Sequence, residues 1–265
     1  MKKLLYRLFL VLLLASAYQV RATEIKLEGI FQGKNLYVMN PFASSGVGFC
    51  VYEVSVNGSV TTDEINSSAF EVDLSIFQFQ PGDKLTVVIK HKDNCKPKVL
   101  NPEVLKPKST FETVSIAVSQ DGKKLTWSTS GEAGKLSFDV QQFRWNKWVK
   151  VGEVEGKGTS NENTYSIDIA PHSGKNKFRV KQTDYTKTHR YSTETEYKSL
   201  APPVTLTKTK IDDKVEFSQE TMYEIYDTYG NIVLKGTAKT VDVSSLSKGK
   251  YYLNYDNAME EITKK

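Results

Sequence analysis

The chain has 265 residues, of which 39% are hydrophobic and 25% charged, and its formal net charge is +5. Four of the 36 basic residues and none of the 31 acidic ones lie within residues 1–22, so 32 basic residues face 31 acidic residues in the rest of the chain. Nucleic-acid-binding proteins concentrate basic side chains on one face. The balanced charge beyond the first segment argues against that class, and we expect no nucleic-acid partner.

The amino terminus has the pattern of a secretory signal peptide. Three basic residues precede the apolar run Leu8–Leu14, and small residues follow it. Cleavage after Ala17 and cleavage after Ala22 both fit the pattern, and we take residues 1–22 as the signal peptide. A transmembrane helix needs roughly 20 apolar residues, and this run has about half that length. No later run comes close, so we expect an exported chain without a transmembrane anchor.

Beyond the signal peptide the sequence predicts strands rather than helices. Val, Thr, Tyr, Phe and Ile are frequent, and apolar and polar residues alternate over short runs, as on half-buried β-strands. Prolines mark two breaks, at residues 101–107 and 201–203, because proline suits linkers better than sheet interiors. We predict an all-β fold of three tandem immunoglobulin-like or fibronectin type III-like β-sandwich domains, at residues 23–105, 108–200 and 201–265.

The first predicted domain contains a hairpin signal and both cysteines. Val51–Val56 alternates and ends at Asn57-Gly58, a pair that tolerates the positive φ angles of a two-residue turn. Cys50 precedes this strand and Cys95 follows a later one. An even cysteine count in an exported chain favours a disulfide between them. Two free buried thiols are the alternative.

No set of residues in the sequence has the spacing of an active site. The three histidines, His91, His172 and His189, are scattered along the chain, and no metal-site spacing is present. Adjacent acidic residues on a strand point to opposite faces and do not converge on one site. An enzyme requires a convergent set of titratable groups. We therefore predict no catalytic residue, no metal site and no cofactor.

The second predicted domain carries a family resemblance. Trp127 lies in an early strand, and the stretch from Tyr165 to Asp184, with Tyr191-Ser192 after it, is the most specific part. Together these residues resemble a fibronectin type III domain of the kind found in secreted Bacteroidetes proteins. The resemblance implies a sandwich whose usual role is spacing or adhesion. Strand alternation around Trp127 predicts that its side chain is buried between the sheets.

Two further tryptophans in this domain have two interpretations. Trp145 and Trp148 flank a short polar turn and could form an exposed platform for a sugar ring. Alternatively, Trp148 begins a strand and packs into the core, while Trp145 caps the hairpin beside it. The sequence leaves both interpretations open.

The C-terminal segment contains an ordered set of turn, core and basic residues. Asp227 to Gly230 forms a turn between two alternating strands, and Gly249 permits a turn before an aromatic strand. The motif residues are Tyr226, Asp227, Gly230, Asp242, Ser244, Leu246, Gly249, Tyr251, Lys264 and Lys265. Their order and spacing resemble the C-terminal sorting domain of the Bacteroidetes type IX secretion system. The resemblance implies that the secretion machinery is a partner.

Two functional hypotheses follow from these observations. The first is a non-enzymatic exported protein, carried by type IX secretion to the cell surface or the medium, which binds a protein or glycan that the sequence does not name. The second is a periplasmic or outer-membrane accessory component that retains the C-terminal segment for docking.

Overall fold

The computed structural model describes residues 23–265. The predicted signal peptide and its two cleavage sites lie outside the described residues. The described chain forms strands and two short 3₁₀ helices, Ser75–Phe77 and Pro102–Leu105. The strands are β1 (Thr23–Ile30), β2 (Leu36–Met39), β3 (Val51–Val56), β4 (Ser59–Val60), β5 (Ala69–Val72), β6 (Lys84–His91), β7 (Lys98–Val99), β8 (Glu112–Val118), β9 (Lys124–Ser130), β10 (Ser137–Arg144), β11 (Lys147–Glu155), β12 (Asn163–Asp168), β13 (Gly174–Thr183), β14 (His189–Tyr191), β15 (Thr195–Ser199), β16 (Lys210–Ile211), β17 (Lys214–Tyr226), β18 (Ile232–Asp242), β19 (Gly249–Tyr255) and β20 (Ala258–Lys264). The predicted all-β fold is confirmed.

The chain divides into two compact units. The first holds the described residues up to Phe79 together with Lys84–Leu105, and the second holds Gln80–Asp83 and Lys106–Lys265. Three hydrophobic cores form within these units, between residues 31 and 105, 111 and 180, and 204 and 262. The second and third cores thus belong to one compact unit. We call residues 108–200 the middle segment and residues 201–265 the C-terminal segment.

The first unit packs a four-stranded sheet, β1-β6-β3-β4, against a three-stranded sheet, β5-β2-β7. β6 supplies the apolar face, because Leu85, Val87 and Ile89 alternate along it and are buried. Asn57 and Gly58 have φ angles of 49° and 85° in the turn between β3 and β4. Positive φ at both central residues is the geometry of the predicted two-residue hairpin, which is confirmed.

A disulfide joins Cys50 to Cys95, with their Cα atoms 5.9 Å apart. The prediction of a bridge is confirmed, and the alternative of two free thiols is wrong. The bond closes a loop of 45 residues. A closed loop of that length stabilises the folded state by about 4 kcal/mol in the chain-entropy model.

The middle segment packs a three-stranded sheet, β12-β9-β8, against a sheet in which β11, β10, β13 and β14 are neighbours and β15 also pairs with β13. Trp127 is fully buried between these sheets. Its ring centroid lies 5.8 Å from that of Phe138 and 5.3 Å from that of Tyr165. The predicted burial of Trp127 is confirmed.

The C-terminal segment forms one five-stranded sheet in the order β16-β20-β19-β17-β18. One face of β17 and β19 supplies its core, which includes Tyr223, Ile225 and Leu253. Glu224 lies between two of these core residues on β17 and is also buried. Since neighbouring side chains on a strand point to opposite faces, β17 is covered on both faces at residues 223–225.

Candidate functional site

The predicted turn after Tyr226 is held by a single carboxylate. Oδ1 of Asp227 accepts hydrogen bonds from the backbone N–H groups of Tyr229 (2.9 Å) and Asn231 (2.8 Å), and Oδ2 accepts one from the Asn231 side-chain amide (3.0 Å). These hydrogen bonds, foremost those from Asn231, lower the pKa of Asp227. Gly230 supplies a φ of +83° with open space around it. Asp227 and Gly230 are therefore turn-forming residues.

The second part of the motif forms the corner after β18. Oδ1 of Asp242 accepts a hydrogen bond from the backbone N–H of Ser244 (2.8 Å), and this bond is the main cause of a lowered pKa for Asp242. The next turn is closed by a hydrogen bond of 3.0 Å from the N–H of Leu246 to the carbonyl of Val243. Leu246 packs against the core of the C-terminal segment. Asp242, Ser244 and Leu246 thus define the path of the chain between two strands.

The last part of the motif contains two buried side chains, those of Tyr251 and Lys264. Tyr251 is a core residue whose hydroxyl donates to the carbonyl of Ser247 (2.9 Å). Lys264 is buried as well, and its Nζ lies 3.3 Å from Oδ1 of Asp213. Lys265 is exposed, and its backbone N–H donates to the carbonyl of Ile211 (3.0 Å). Lys264 therefore anchors the terminal strand, while the side chain of Lys265 remains accessible.

The accessible side chains of this segment are mostly outside the predicted motif. Tyr229 is 90% exposed at the tip of the Asp227 turn, and Ile232 and Val233 follow it on β18. Tyr252 is exposed on β19. Sequence reasoning missed these positions as surface candidates, because an exposed aromatic residue in a turn has no signature beyond the turn itself.

The covered polar face of β17 contacts the middle segment. Nζ of Lys147, on β11, lies 2.6 Å from Oε2 of Glu224 and 2.6 Å from the hydroxyl of Tyr226. The Lys147 side chain is 40% exposed and the Glu224 side chain 9%. Burial lowers the pKa of Lys147, but the hydrogen bonds to Glu224 and Tyr226 outweigh it, so the net shift is upward. Tyr226 is therefore part of a contact between the two segments.

A second polar contact lies at the turn between β19 and β20. The carboxylate of Asp256 accepts hydrogen bonds from the N–H of Ser173 (2.9 Å), the hydroxyl of Ser173 (2.5 Å) and the N–H of Val204 (3.2 Å). Asp256 is buried and has a φ of +44°. Ser173 belongs to the middle segment, so this carboxylate joins the middle segment to the start of the C-terminal segment.

A cavity of about 150 Å³ lies beside Asp256 and is also lined by Arg144 and His172. Both side chains are buried, and Nη1 of Arg144 and Nε2 of His172 have no hydrogen-bond partner among residues 23–265. Burial lowers the pKa of Arg144 to about 10 and is also the main cause of a lowered pKa for His172. The contact between the segments is therefore polar and holds a buried cation.

The two tryptophans with open interpretations occupy different environments. Trp145 lies in the turn of the β10–β11 hairpin with a φ of +50° and is only 6% exposed. Trp148 lies outside the core, where the guanidinium carbon of Arg179 is 4.1 Å from its ring centroid and also 4.1 Å from that of Tyr191. The prediction that Trp148 packs into the core is wrong, because its register opposite the exposed Phe143 places it on the outer face of the sheet.

The outer sheet face of Phe143, Trp148, Arg179 and Tyr191 is the aromatic face of the middle segment. Phe143 and Trp148 meet edge to face at 5.4 Å. A guanidinium between aromatic rings contributes about 1 kcal/mol at an exposed site. The face therefore presents a preorganised amphipathic surface, of which the sequence prediction identified Trp148.

Two polar clusters that the sequence did not predict have structural roles. Buried Glu132 accepts hydrogen bonds from the Tyr165 hydroxyl (2.7 Å) and the Gly158 N–H (2.7 Å), and burial together with this carboxylate raises the pKa of Tyr165. His91 lies beside the disulfide, with one ring nitrogen and both sulfurs within 4.8 Å of one another. Metal ions bind thiolates, whereas these two sulfurs are bonded to each other.

None of the described helices is long and apolar enough to cross a membrane.

The final sheet of this all-β chain is built from the turns and core positions of the sorting motif. This places the chain in the class of exported proteins with a sorting segment. Residues 207–265 match the family described as the secretion system C-terminal sorting domain. This segment is accordingly a type IX sorting domain, as the sequence resemblance implied. It indicates export and interaction with the type IX secretion machinery.

Several solved structures resemble the chain at low sequence identity. A tetra-tandem repeat in the extending region of a large adhesion protein shares 11% identity, with 92% of this chain and 73% of that chain covered and a TM-score of 0.30. Fibronectin(III)-like modules of Clostridium thermocellum CbhA share 12% identity, with 58% and 93% covered and a TM-score of 0.22. The ectodomain of mouse nectin-like molecule 4 shares 10% identity, with 92% of each chain covered and a TM-score of 0.18. With TM-scores this low, we infer neither fold nor function from them. Among curated proteins, none matches this sequence.

Proposed function

We propose that this protein is a non-enzymatic cargo of type IX secretion that is displayed at the cell surface or released, and that binds a protein or glycan through the domains preceding the tail. The observation that carries the proposal is the match of residues 207–265 to the sorting family, together with a complete folded sheet over the same residues. The motif positions form the turns and core of that sheet.

Two surfaces before the tail support a binding role. The aromatic face of the middle segment combines apolar rings with a guanidinium, a combination suited to the apolar faces and hydroxyl groups of sugars or to a peptide. The first unit has a cleft of about 710 Å³ lined by residues that include Tyr37, Lys34 and Glu71. Tyr37 is exposed there. Each surface offers an aromatic side chain beside charged groups, which is typical of binding sites.

The proposal is tested by moving the tail to another protein. Residues 201–265 are fused behind a periplasmic fluorescent protein in a host that has the type IX machinery. We expect the reporter to reach the cell surface or the medium, because a sorting signal should be separable from its cargo. The matched control is the same fusion truncated before Lys248, which lacks β19 and β20 and should stay in the periplasm.

A different outcome would favour the accessory hypothesis. If the intact fusion stays in the periplasm while the native protein reaches the surface, the tail is not sufficient for export. If the native protein itself stays at the outer membrane with its tail attached, a retained docking role replaces the cargo role.

A further inference from the structure

The C-terminal segment is connected to the middle segment by an exposed stretch of chain. Leu200 is 90% exposed, and residues 201–203 after it are exposed as well. The chain is buried again at Val204, whose N–H donates to Asp256. Exposed segments of this kind are where proteases cut a folded chain.

Two carboxylates of the C-terminal segment form hydrogen bonds with the middle segment. Glu224 is bonded to the Lys147 ammonium, and this ammonium also lies 5.3 Å from the centroid of the Tyr226 ring. Asp256 is bonded twice to Ser173, through its N–H and its hydroxyl. The two contacts lie on different elements of the middle segment, β11 and the turn before β13. Together they fix both the position and the orientation of the C-terminal segment on the middle segment.

The middle segment supplies positive charge and donors where the C-terminal segment supplies negative charge. Lys147 and buried Arg144 lie on the middle segment, and Ser173 adds an N–H and a hydroxyl. Arg144 donates to Gln142 and to the carbonyl of Ala170 but has no carboxylate bonded to it among the described residues. The negative charge of Asp256 raises the pKa of Arg144, although burial lowers this pKa by more. Complementary charge of this kind gives an interface specificity.

We propose that the sorting segment of this chain is a ligand of the middle segment, held by its two carboxylates, and that it stays bound noncovalently after the exposed connection is cut. The interaction surface consists of Lys147, Arg144 and Ser173, and its occupant is the chain's own residues 204–265. While the segment is docked, Glu224 and Tyr226 are covered, and the Tyr229 turn remains free. The inference concerns binding within the chain and holds whether or not the tail directs export.

The test uses the chain from residue 23 to 265 with a protease recognition sequence placed between Leu200 and Ala201. After cleavage, both pieces should elute together in gel filtration at low micromolar concentration. Lys147→Glu should weaken the association about tenfold or more, because it places two carboxylates together. Glu224→Lys should do the same, and the double variant Lys147→Glu/Glu224→Lys should recover most of the loss. Separation of the wild-type pieces on cleavage would overturn the proposal.

The matched control is Lys250→Glu, which reverses the charge of an ion pair with Glu261 (2.9 Å) inside the sorting sheet itself. It should leave the association unchanged, and a loss as large as that of Lys147→Glu would overturn the role of the contact between Lys147 and Glu224.

Amide hydrogen exchange on the uncut chain gives a second measurement that does not require the pieces to stay folded. The N–H of Ser173 should exchange slowly in the wild type and faster in Asp256→Asn, which keeps a side chain that tolerates positive φ. Rapid exchange at Ser173 in the wild type would contradict docking.

Discussion

Asp227 shows why a sorting motif contains acidic turn residues. Three hydrogen bonds from the residues that follow it hold the chain in a tight reversal, and Gly230 adopts the left-handed conformation that this reversal needs. The side chain of Asn231 contributes to the same turn. The turn presents Tyr229 to solvent. The motif residue Asp227 therefore shapes the turn, and Tyr229 is one of the exposed side chains of this segment.

The Asp227 turn should weaken in acid. The pKa of the carboxyl lies below its ordinary value of 3.8 in the folded protein, because the hydrogen bonds favour the charged form. A lowered folded pKa gives a stabilising contribution that is complete above the unfolded pKa and disappears as the pH falls through the folded pKa. We expect an NMR titration of the Asp227 carboxyl to have its midpoint below 3.8.

Asp227→Asn is the control for this titration, since it keeps one acceptor oxygen but removes the titrating group. The acid-induced shifts of the Tyr229 and Asn231 amide resonances should disappear in this variant. A wild-type midpoint at or above the ordinary value would contradict the turn geometry.

Trp127 and Trp148 provide a matched pair for testing the core of the middle segment. Trp127 is fully buried and contacts two aromatic rings, so Trp127→Ala should cost about 3–5 kcal/mol of the free energy of unfolding. Trp148 lies on the outer face against Arg179, so Trp148→Ala should cost about 1 kcal/mol. Urea unfolding of both variants measures the two costs. Equal costs, or a loss below about 1 kcal/mol for Trp127→Ala, would contradict the sheet register.

At the scale of elements, β17 is the strand on which the C-terminal segment depends. It lies between β18 and β19, its Tyr223 and Ile225 pack into the core, and its Glu224 faces the middle segment. Over residues 223–226 the strand has a neighbour on each side, so this part of it has no free edge. Its register with β18 is interrupted between Glu216 and Thr221. Residues 217–220 of β17 fall opposite the single residue Lys239 of β18, so the hydrogen-bonded ladder is broken there.

Truncation before Lys248 should unfold the C-terminal segment. It removes β19 and β20, which include the core residues Tyr251, Leu253, Tyr255 and Ile262. β17 is left with an open edge and an uncovered apolar face, which small sheets do not tolerate. Limited proteolysis should degrade the remaining tail while the middle segment persists.

The control for this truncation is Tyr229→Ala, which changes an exposed side chain without touching the core. It should leave protease resistance unchanged. If the tail truncated before Lys248 resists protease as well as the intact tail does, the terminal strands are not required for the fold.

At the scale of the whole molecule, each core is built from its own stretch of sequence. The middle segment contains Phe111, Trp127, Phe138 and Phe178 in its core, and none of the core residues of that cluster comes from the C-terminal segment. The contact between these two segments includes the polar groups around Glu224 and Asp256. Polar contacts can be exposed to water at modest cost, whereas a shared apolar core cannot.

Removal of residues 201–265 from the native protein should therefore change its location without unfolding the rest. In a host with the type IX machinery, the full-length protein should fractionate with the cell surface or the medium, and the shortened protein should remain soluble in the periplasm. Circular dichroism of the purified shortened protein should retain its strand signal. Surface delivery of the shortened protein would contradict the assigned role of the tail.

The sequence by itself determined those features that depend on neighbouring residues. The Asn57-Gly58 hairpin follows from the conformational freedom of two adjacent residues, and the burial of Trp127 follows from strand alternation. The sorting segment could be identified because its turns require particular residues, such as Asp227 and Gly230, at particular positions. The pairing of Cys50 with Cys95 followed from an even cysteine count in a chain that carries a signal peptide pattern.

The tertiary structure decided which distant residues meet. It brought Lys147 to Glu224 and Ser173 to Asp256, placed His91 beside the disulfide, and turned Trp148 outward against Arg179. These outcomes depend on strand order, on the register of one strand against another and on the packing of separate segments. A pattern of period two gives the alternation of faces along a strand, but it does not specify which face is covered or by which partner.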